Sequence, residues 1–336
     1  MSKKYIADPK RYDTMTYRRA GTSGIKLPAI SLGFWHNFGE EENYDLCKEI
    51  VLTAFDSGIC HFDLANNYGP PAGNAERYFG AIFREELQAH RDEIIVSTKA
   101  GHDMWEGPYG TNGSRKHLLA SLDQSLKRLQ MDYVDIFYSH RPDPETELEE
   151  TMGALASAVH QGKALYAGLS KYSPEQTVKA LKILRELNVP VILHQFKYSM
   201  LDRSAEEGLL SVLNKEQLGG IAFSPLAQGL LTDRYLNGIP TDSRIRKSPQ
   251  FLPESRLTLE VLNGLHQLKR IAEGRGQTLA EMALSWVLRN PQISSVIVGA
   301  SSKGQLLMNL KAAECMEFSE CELKLIDDIL SSRSWT

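Results

Sequence analysis

The segment Ile59-Cys60-His61-Phe62-Asp63-Leu64-Ala65-Asn66-Asn67-Tyr68 carries the first decision about the fold. A brief apolar run closes on a carboxylate and gives way to an Asn-rich loop, as a buried strand does where it reaches the rim of a sheet. Upstream, residues 42–57 space their apolar side chains as an amphipathic helix, and residues 75–86 do the same downstream. The pattern then repeats. Strands are expected at 29–33, 59–63, 94–98, 134–139, 164–169, 191–195, 220–224 and 295–298. Helices are expected at 42–57, 75–86, 114–129, 147–160, 174–187, 204–214 and 257–274. Pro174 behind Ser173 reads as a first-turn proline following an N-cap.

This alternation over 336 residues, with a hairpin-like opening at 16–27, predicts an α/β protein built as a (β/α)8 TIM barrel with an N-terminal β-hairpin. No linker divides the chain, so residues 1–336 are expected to form a single domain. Long loops fall after strands three and seven, at 101–113 and 226–254, and a further helical stretch lies at 278–288. The alternative, a doubly wound sheet, would carry a glycine fingerprint behind its first strand. The nearest match, Gly274 and Gly276, sits behind a helix and lacks the third glycine.

Composition narrows the function classes. The chain is 42% hydrophobic and 24% charged, and 38 Lys and Arg against 42 Asp and Glu leave a net charge of −4, which offers a polyanion no overall attraction. No nucleic acid partner is expected. No run approaches the roughly 20 apolar residues of a membrane span, and the opening MSKKYIADPK lacks the apolar core of a signal peptide. A cytoplasmic protein without a membrane partner is therefore expected. Cys47, Cys60, Cys315 and Cys321 are scattered and read as reduced packing residues. The 9 histidines form no H-x-H or H-E-x-x-H and no G-x-S-x-G occurs, so no metal site and no serine nucleophile are expected.

In a barrel, residues at the C-terminal ends of strands share one mouth. Asp63, Lys99 and His140 each close a strand, and Tyr68 follows Asp63 in the next loop. A buried ammonium beside a phenol favours the phenolate and would lower the Tyr68 pKa, while a carboxylate nearby would keep Lys99 charged. A histidine alongside would position a carbonyl oxygen that gains negative charge. The set suits carbonyl reduction, with a hydride supplied by a carrier.

The stretches FDLANNYG (62–69), VSTKAG (96–101), FYSHRPD (137–143), GLSKYSP (168–174), HQFKYSML (194–201), FSPLAQGLLTDRY (223–235) and VIVGASSKGQL (296–306) resemble the aldo-keto reductases over almost the whole chain. The resemblance implies a catalytic tetrad of Asp63, Tyr68, Lys99 and His140, with Tyr68 as proton donor, and NADPH held without a Rossmann domain. By motif, Asp63, Ser170, Lys171 and Gln195 would meet the nicotinamide end, with Phe34 and Trp35 beside it and Phe223 stacked on the ring. Ser224, Pro225, Leu226, Ala227 and Gln228 would wrap the pyrophosphate, Arg234 and Arg244 would neutralise phosphate charge, and Gly299, Ser301, Gln305 and Asn309 would meet the adenosine end. The chain departs from the common pattern at Lys171 (often Asn), Asp233-Arg234 (often Gly-Lys), Ser302 (often Arg) and Met308 (usually Glu).

Within the family, LGFWHNFG (32–39), HFDLANNYGPP (61–71) and the insertion at 101–129 are similar to a bacterial branch that reduces small aldehydes such as L-glyceraldehyde 3-phosphate and methylglyoxal. That branch also resembles the β-subunits of voltage-gated potassium channels. The implied partner is a small-molecule aldehyde, in a homo-oligomer. Trp35, Tyr68, Trp105 and Tyr109 would wall the pocket, and Lys171, Arg115 or Arg141 would meet a substrate phosphate. The competing class is a coenzyme-sensing regulatory subunit of a membrane channel with little turnover. Against it stands the short lead, about fifteen residues, ahead of the first barrel element.

Overall fold

An antiparallel hairpin of β1 (Tyr17–Arg19) and β2 (Lys26–Pro28) precedes eight parallel strands that close on themselves. The computed structural model describes residues 5–39, 43–241, 243–331 and 335. Residue 42 of the first expected helix and residue 242 of the second long loop lie outside them. The barrel strands are β3 (Ile30–Gly33), β4 (His61–Asp63), β5 (Ile95–Ala100), β6 (Val134–Ser139), β7 (Ala164–Ser170), β8 (Val191–Lys197), β9 (Gly219–Phe223) and β10 (Ile293–Val298). Each pairs with its sequence neighbour, and β10 closes the ring against β3. Every expected strand forms, with ends shifted by a residue or two. The architecture is the (β/α)8 barrel.

The helices are α1 (Tyr44–Asp56), α2 (Asn74–Ile82), α3 (Arg115–Leu129), α4 (Leu148–His160), α5 (Pro174–Glu186), α6 (Leu209–Glu216), α7 (Arg244–Lys247), α8 (Leu259–Gly274), α9 (Leu279–Leu288), α10 (Lys303–Leu310) and α11 (Glu320–Ser331). Local chemistry sets their starts. Ser173 accepts from the Gln176 backbone N–H while the Gln176 side chain accepts from the Ser173 N–H, and Pro174 occupies the first turn of α5. Thr278 and Glu281 build the same reciprocal cap on α9.

The hairpin closes the N-terminal end of the barrel. Ala20 and Leu27 join Ile136, Tyr138, Leu193 and Ile221 in one buried apolar cluster, the Ser294 hydroxyl donates to Arg19 O at 2.8 Å, and Arg18 donates to Leu288 O at 2.7 Å. The opposite, C-terminal mouth is left for chemistry. Inside the wall, Gly168 leaves room for the Tyr138 ring, since a Cβ there would lie 2.4 Å from it.

Three expectations need correction. The helix expected at 204–214 is split, because Gly208 adopts φ 125 between a short 3-10 turn (Ser204–Glu206) and α6. The helix expected at 75–86 widens at its end, α2 stopping at Ile82 and giving way to a π turn (Phe83–Leu87). Cys47 and Cys60 are buried, but Cys315 and Cys321 are exposed and are not packing residues. No helix among the described residues is long and apolar enough to cross a membrane.

Candidate active site

Strand register brings the four candidate catalytic residues together. Asp63 on β4 lies beside Ser97 of β5, and Lys99 of β5 lies beside Tyr138 of β6, one residue pair below His140. Lys99 is fully buried. Its Nζ donates to Asp63 Oδ2 at 2.6 Å and to Leu64 O at 2.7 Å, and it sits 5.0 Å from the centre of the Tyr68 ring. The Tyr68 and His140 rings meet edge to face at 5.8 Å. Burial pulls the Lys99 ammonium below its ordinary pKa, and the Asp63 carboxylate opposes that pull.

The expected lowering of the Tyr68 pKa does not occur. Although the side chain keeps partial exposure, the protein packed around it pushes the phenol well above its ordinary value, and the Asp63 charge adds to the effect. The physical reason is burial, which penalises the phenolate before any neighbouring charge acts, and the Asp63 carboxylate then adds its repulsion. Tyr68 therefore holds its proton across the physiological range. His140 is buried and neutral, its pKa driven well below the usual value first by burial and then by Lys99, His102, Lys171 and Arg141. Its Nδ1 has no hydrogen-bond partner among the described residues.

A buried polar thread supports Asp63 from behind. Asp63 Oδ1 accepts from Ser97 Oγ at 2.7 Å and from Gln195 Nε2 at 3.0 Å. His61 bridges Ser97 Oγ (3.1 Å) and Ser31 Oγ (2.8 Å), and Ser31 shares a 2.6 Å bond with Ser295. Burial pushes the His61 pKa down to about 4. Sequence reading passed over His61 and Ser97. The signal was available, because His61 and Asp63 are two apart on one strand and so share a face.

The candidate coenzyme residues fall along the same rim. Ser170 ends β7 with a buried hydroxyl that has no partner among the described residues. Behind β9, Ser224, Ala227 and Gln228 all take left-handed backbone angles, φ 54, 47 and 61. Gln228 Nε2 donates to Ser224 Oγ at 3.0 Å, Arg244 donates to Gln228 Oε1, and the Arg244 guanidinium lies 5.1 Å from the Trp35 ring centre. After β10, the Ser301 backbone N–H and hydroxyl both donate to Gln305 Oε1, at 2.8 and 3.0 Å. Ser302 caps α10, and Asn309 is buried with no partner for its Nδ2 among the described residues.

The aldo/keto reductase family model matches residues 29–331. The chain belongs to this family. It is 54% identical to the L-glyceraldehyde 3-phosphate reductases of Escherichia coli strains K12 and O157:H7 over 327 residues, covering 96% of this chain and 94% of each relative. It is also 37% identical to a probable voltage-gated potassium channel subunit beta of Arabidopsis thaliana, over 95% of this chain and 98% of that one.

Aldo/keto reductases generally use NAD(P)H, and the residues on the rim fit such a coenzyme. The open valences of Ser170 Oγ and Asn309 Nδ2 await polar partners, and the left-handed turn at 224–228 holds a backbone shape that ordinary residues adopt only under constraint. Several expected contacts do not form. Phe34 is fully buried against Phe38, Phe62 and Phe79 at 4.1, 6.3 and 5.3 Å, so its side chain cannot lie beside a coenzyme. Arg234, by contrast, lies exposed on a 3-10 turn, Asp233–Tyr235, and remains a candidate for phosphate charge. Trp105 packs on His117 at 4.9 Å, and Tyr109 is 56% exposed rather than walling a pocket. Arg115 is directed to α4, donating to Gly153 O at 3.0 Å.

Proposed function

We propose that this aldo/keto reductase is an NADPH-dependent reductase of small aldehydes, with L-glyceraldehyde 3-phosphate and methylglyoxal as substrates and Tyr68 as the proton donor. The observation that carries the reading is the placing of the Tyr68 ring 5.8 Å from the His140 ring and 5.0 Å from the Nζ of Lys99, which is buried in its pair with Asp63. The reduced nicotinamide, when bound, supplies a hydride to the carbonyl carbon. Ser170, Gln195 and the turn at 224–228 hold that coenzyme, with Arg244 beside its phosphates and Gln305 and Asn309 at its adenosine end. Tyr68 Oη gives its proton to the oxygen as negative charge develops there. The Lys99 ammonium, 5.0 Å from the ring, stabilises the phenolate that remains. Neutral His140 orients the carbonyl oxygen and competes for no proton. Residues 1–336 act as one catalytic domain, in a cytoplasmic homo-oligomer.

The higher identity to the reductases than to the channel subunit homologue supports turnover over channel regulation. The test is to mix the protein with NADPH and a panel of small aldehydes and follow the reduced-nicotinamide absorbance. Loss of absorbance with alcohol formation is expected; no loss with any aldehyde contradicts the reading. Titration by quenching of tryptophan fluorescence is expected to give a smaller Kd for NADPH than for NADH, and equal values would overturn the coenzyme preference.

A further inference from the structure

We propose that His102, Arg141 and Lys171 form the subsite that holds the phosphate group of the aldehyde, on the rim next to His140. The inference rests on the reductase reading above and names which part of its site selects a phosphorylated substrate. Lys171 Nζ lies 3.4 Å from His102 Nε2, the His102 and His140 rings meet edge to face at 4.4 Å, and His140 in turn meets Tyr68. The cations thus begin one ring beyond the residue that orients the carbonyl. That reach suits a phosphate at the far end of a three-carbon aldehyde.

The three groups are held in place by neutral partners. Arg141 Nε donates to Gly101 O at 2.9 Å and its Nη2 to Asn112 Oδ1 at 3.3 Å, so the guanidinium is oriented without a carboxylate. Lys171 takes a left-handed backbone, φ 63, with its N–H on Gln195 O at 3.0 Å. A lysine in that conformation is strained, and strain of this kind gathers at functional sites. Neither Arg141 nor Lys171 forms an ion pair among the described residues, whereas Lys99 behind them is paired with Asp63. Of the carboxylates that face the cluster, Asp143 accepts from the backbone N–H groups of Gly113 (2.8 Å) and Glu145 (3.0 Å) and feels the Arg141 charge without a hydrogen bond to it, and exposed Asp103 is the last of the influences on His102.

The electrostatics agree with this geometry. Lys171 is exposed, as an entry for substrate requires, yet the protein around it, with Lys99 and Arg141, pulls its pKa down to about 8. His102 falls to about 4 through burial and then through Lys171 and Arg141. A dianion bound among them relieves this mutual repulsion and draws a proton onto the cluster. A phosphate monoester is a dianion above about pH 6, so preference for it is greatest between about pH 6 and 8 and falls as Lys171 loses its charge above pH 8.

The test compares kcat/KM for DL-glyceraldehyde 3-phosphate and DL-glyceraldehyde with one coenzyme, in the wild type and in Lys171→Met, Lys171→Arg and His102→Gln. The wild type is expected to favour the phosphorylated aldehyde, and inorganic phosphate to compete with DL-glyceraldehyde. In Lys171→Met and His102→Gln the preference is expected to fall about tenfold or more through KM, with Lys171→Arg restoring much of it. A tenfold loss is the effect of removing one charge-assisted hydrogen bond. A wild-type preference that survives both Lys171→Met and His102→Gln, or the absence of any preference, overturns the subsite while leaving the reductase reading intact. A wild type that reduces neither aldehyde overturns both.

Discussion

Lys99 is charged at a position with no access to water because Asp63 and the Leu64 carbonyl replace its hydration shell. Such a pair adds little net stability, but breaking it strands a charge. Asp63→Asn is therefore expected to cost about 3 kcal/mol or more, read by urea unfolding; an unchanged midpoint would show that Lys99 discharges without its partner. All four candidate catalytic residues were legible in the sequence because each closes a strand or follows one closely. The sign of the Tyr68 shift was not, since spacing cannot reveal how tightly the protein packs around the phenol or that the Asp63 charge lies close to it. Phe34 was misplaced for a related reason. It stands just past the end of β3, where alternation along the strand no longer says which layer a side chain enters, and it turns into the outer layer with Phe38 and Phe79.

Among the elements, the eight strands were readable because each is a short apolar run bounded by polar turns. α11 was not, since it lies beyond the last strand and repeats no strand-helix unit; it buries Ile326 and Leu330 and packs along α8. α5 shows how far local signals reach: Ser173, Pro174 and Gln176 fix its start before any packing is considered. Ser173→Ala removes the side-chain half of the capping box, and a loss of about 1 kcal/mol is expected in chemical denaturation. Within the wall, Gly168→Ala would drive a methyl group into the Tyr138 ring at 2.4 Å. Overpacking there is expected to cost about 1 to 3 kcal/mol, and a neutral result would mean that β6 and β7 shift apart freely.

At the scale of the whole molecule, two buried histidines stay uncharged, His61 inside the barrel and His194 on the outer face of β8 against Phe196. His61 and His194 are fully buried, with pKa values pushed down to about 4 and about 3. The unfolded chain takes up protons near pH 6.5 that the native barrel refuses, so stability is complete above that pH and erodes as pH falls toward 4. His61 alone accounts for about 3 kcal/mol of the loss. The thermal midpoint is expected to drop steeply between pH 6.5 and 4, and a flat profile would contradict the burial of these rings as neutral groups. The closed ring also explains why one mouth can gather Asp63, Tyr68, Lys99 and His140 from three consecutive strands and their loops. The most direct test of that assembly is the single-turnover reduction of DL-glyceraldehyde by NADPH-loaded Tyr68→Phe, run beside a coenzyme titration. The account predicts a rate at least about a hundredfold below wild type with the NADPH Kd nearly unchanged; a wild-type rate in that variant would contradict it.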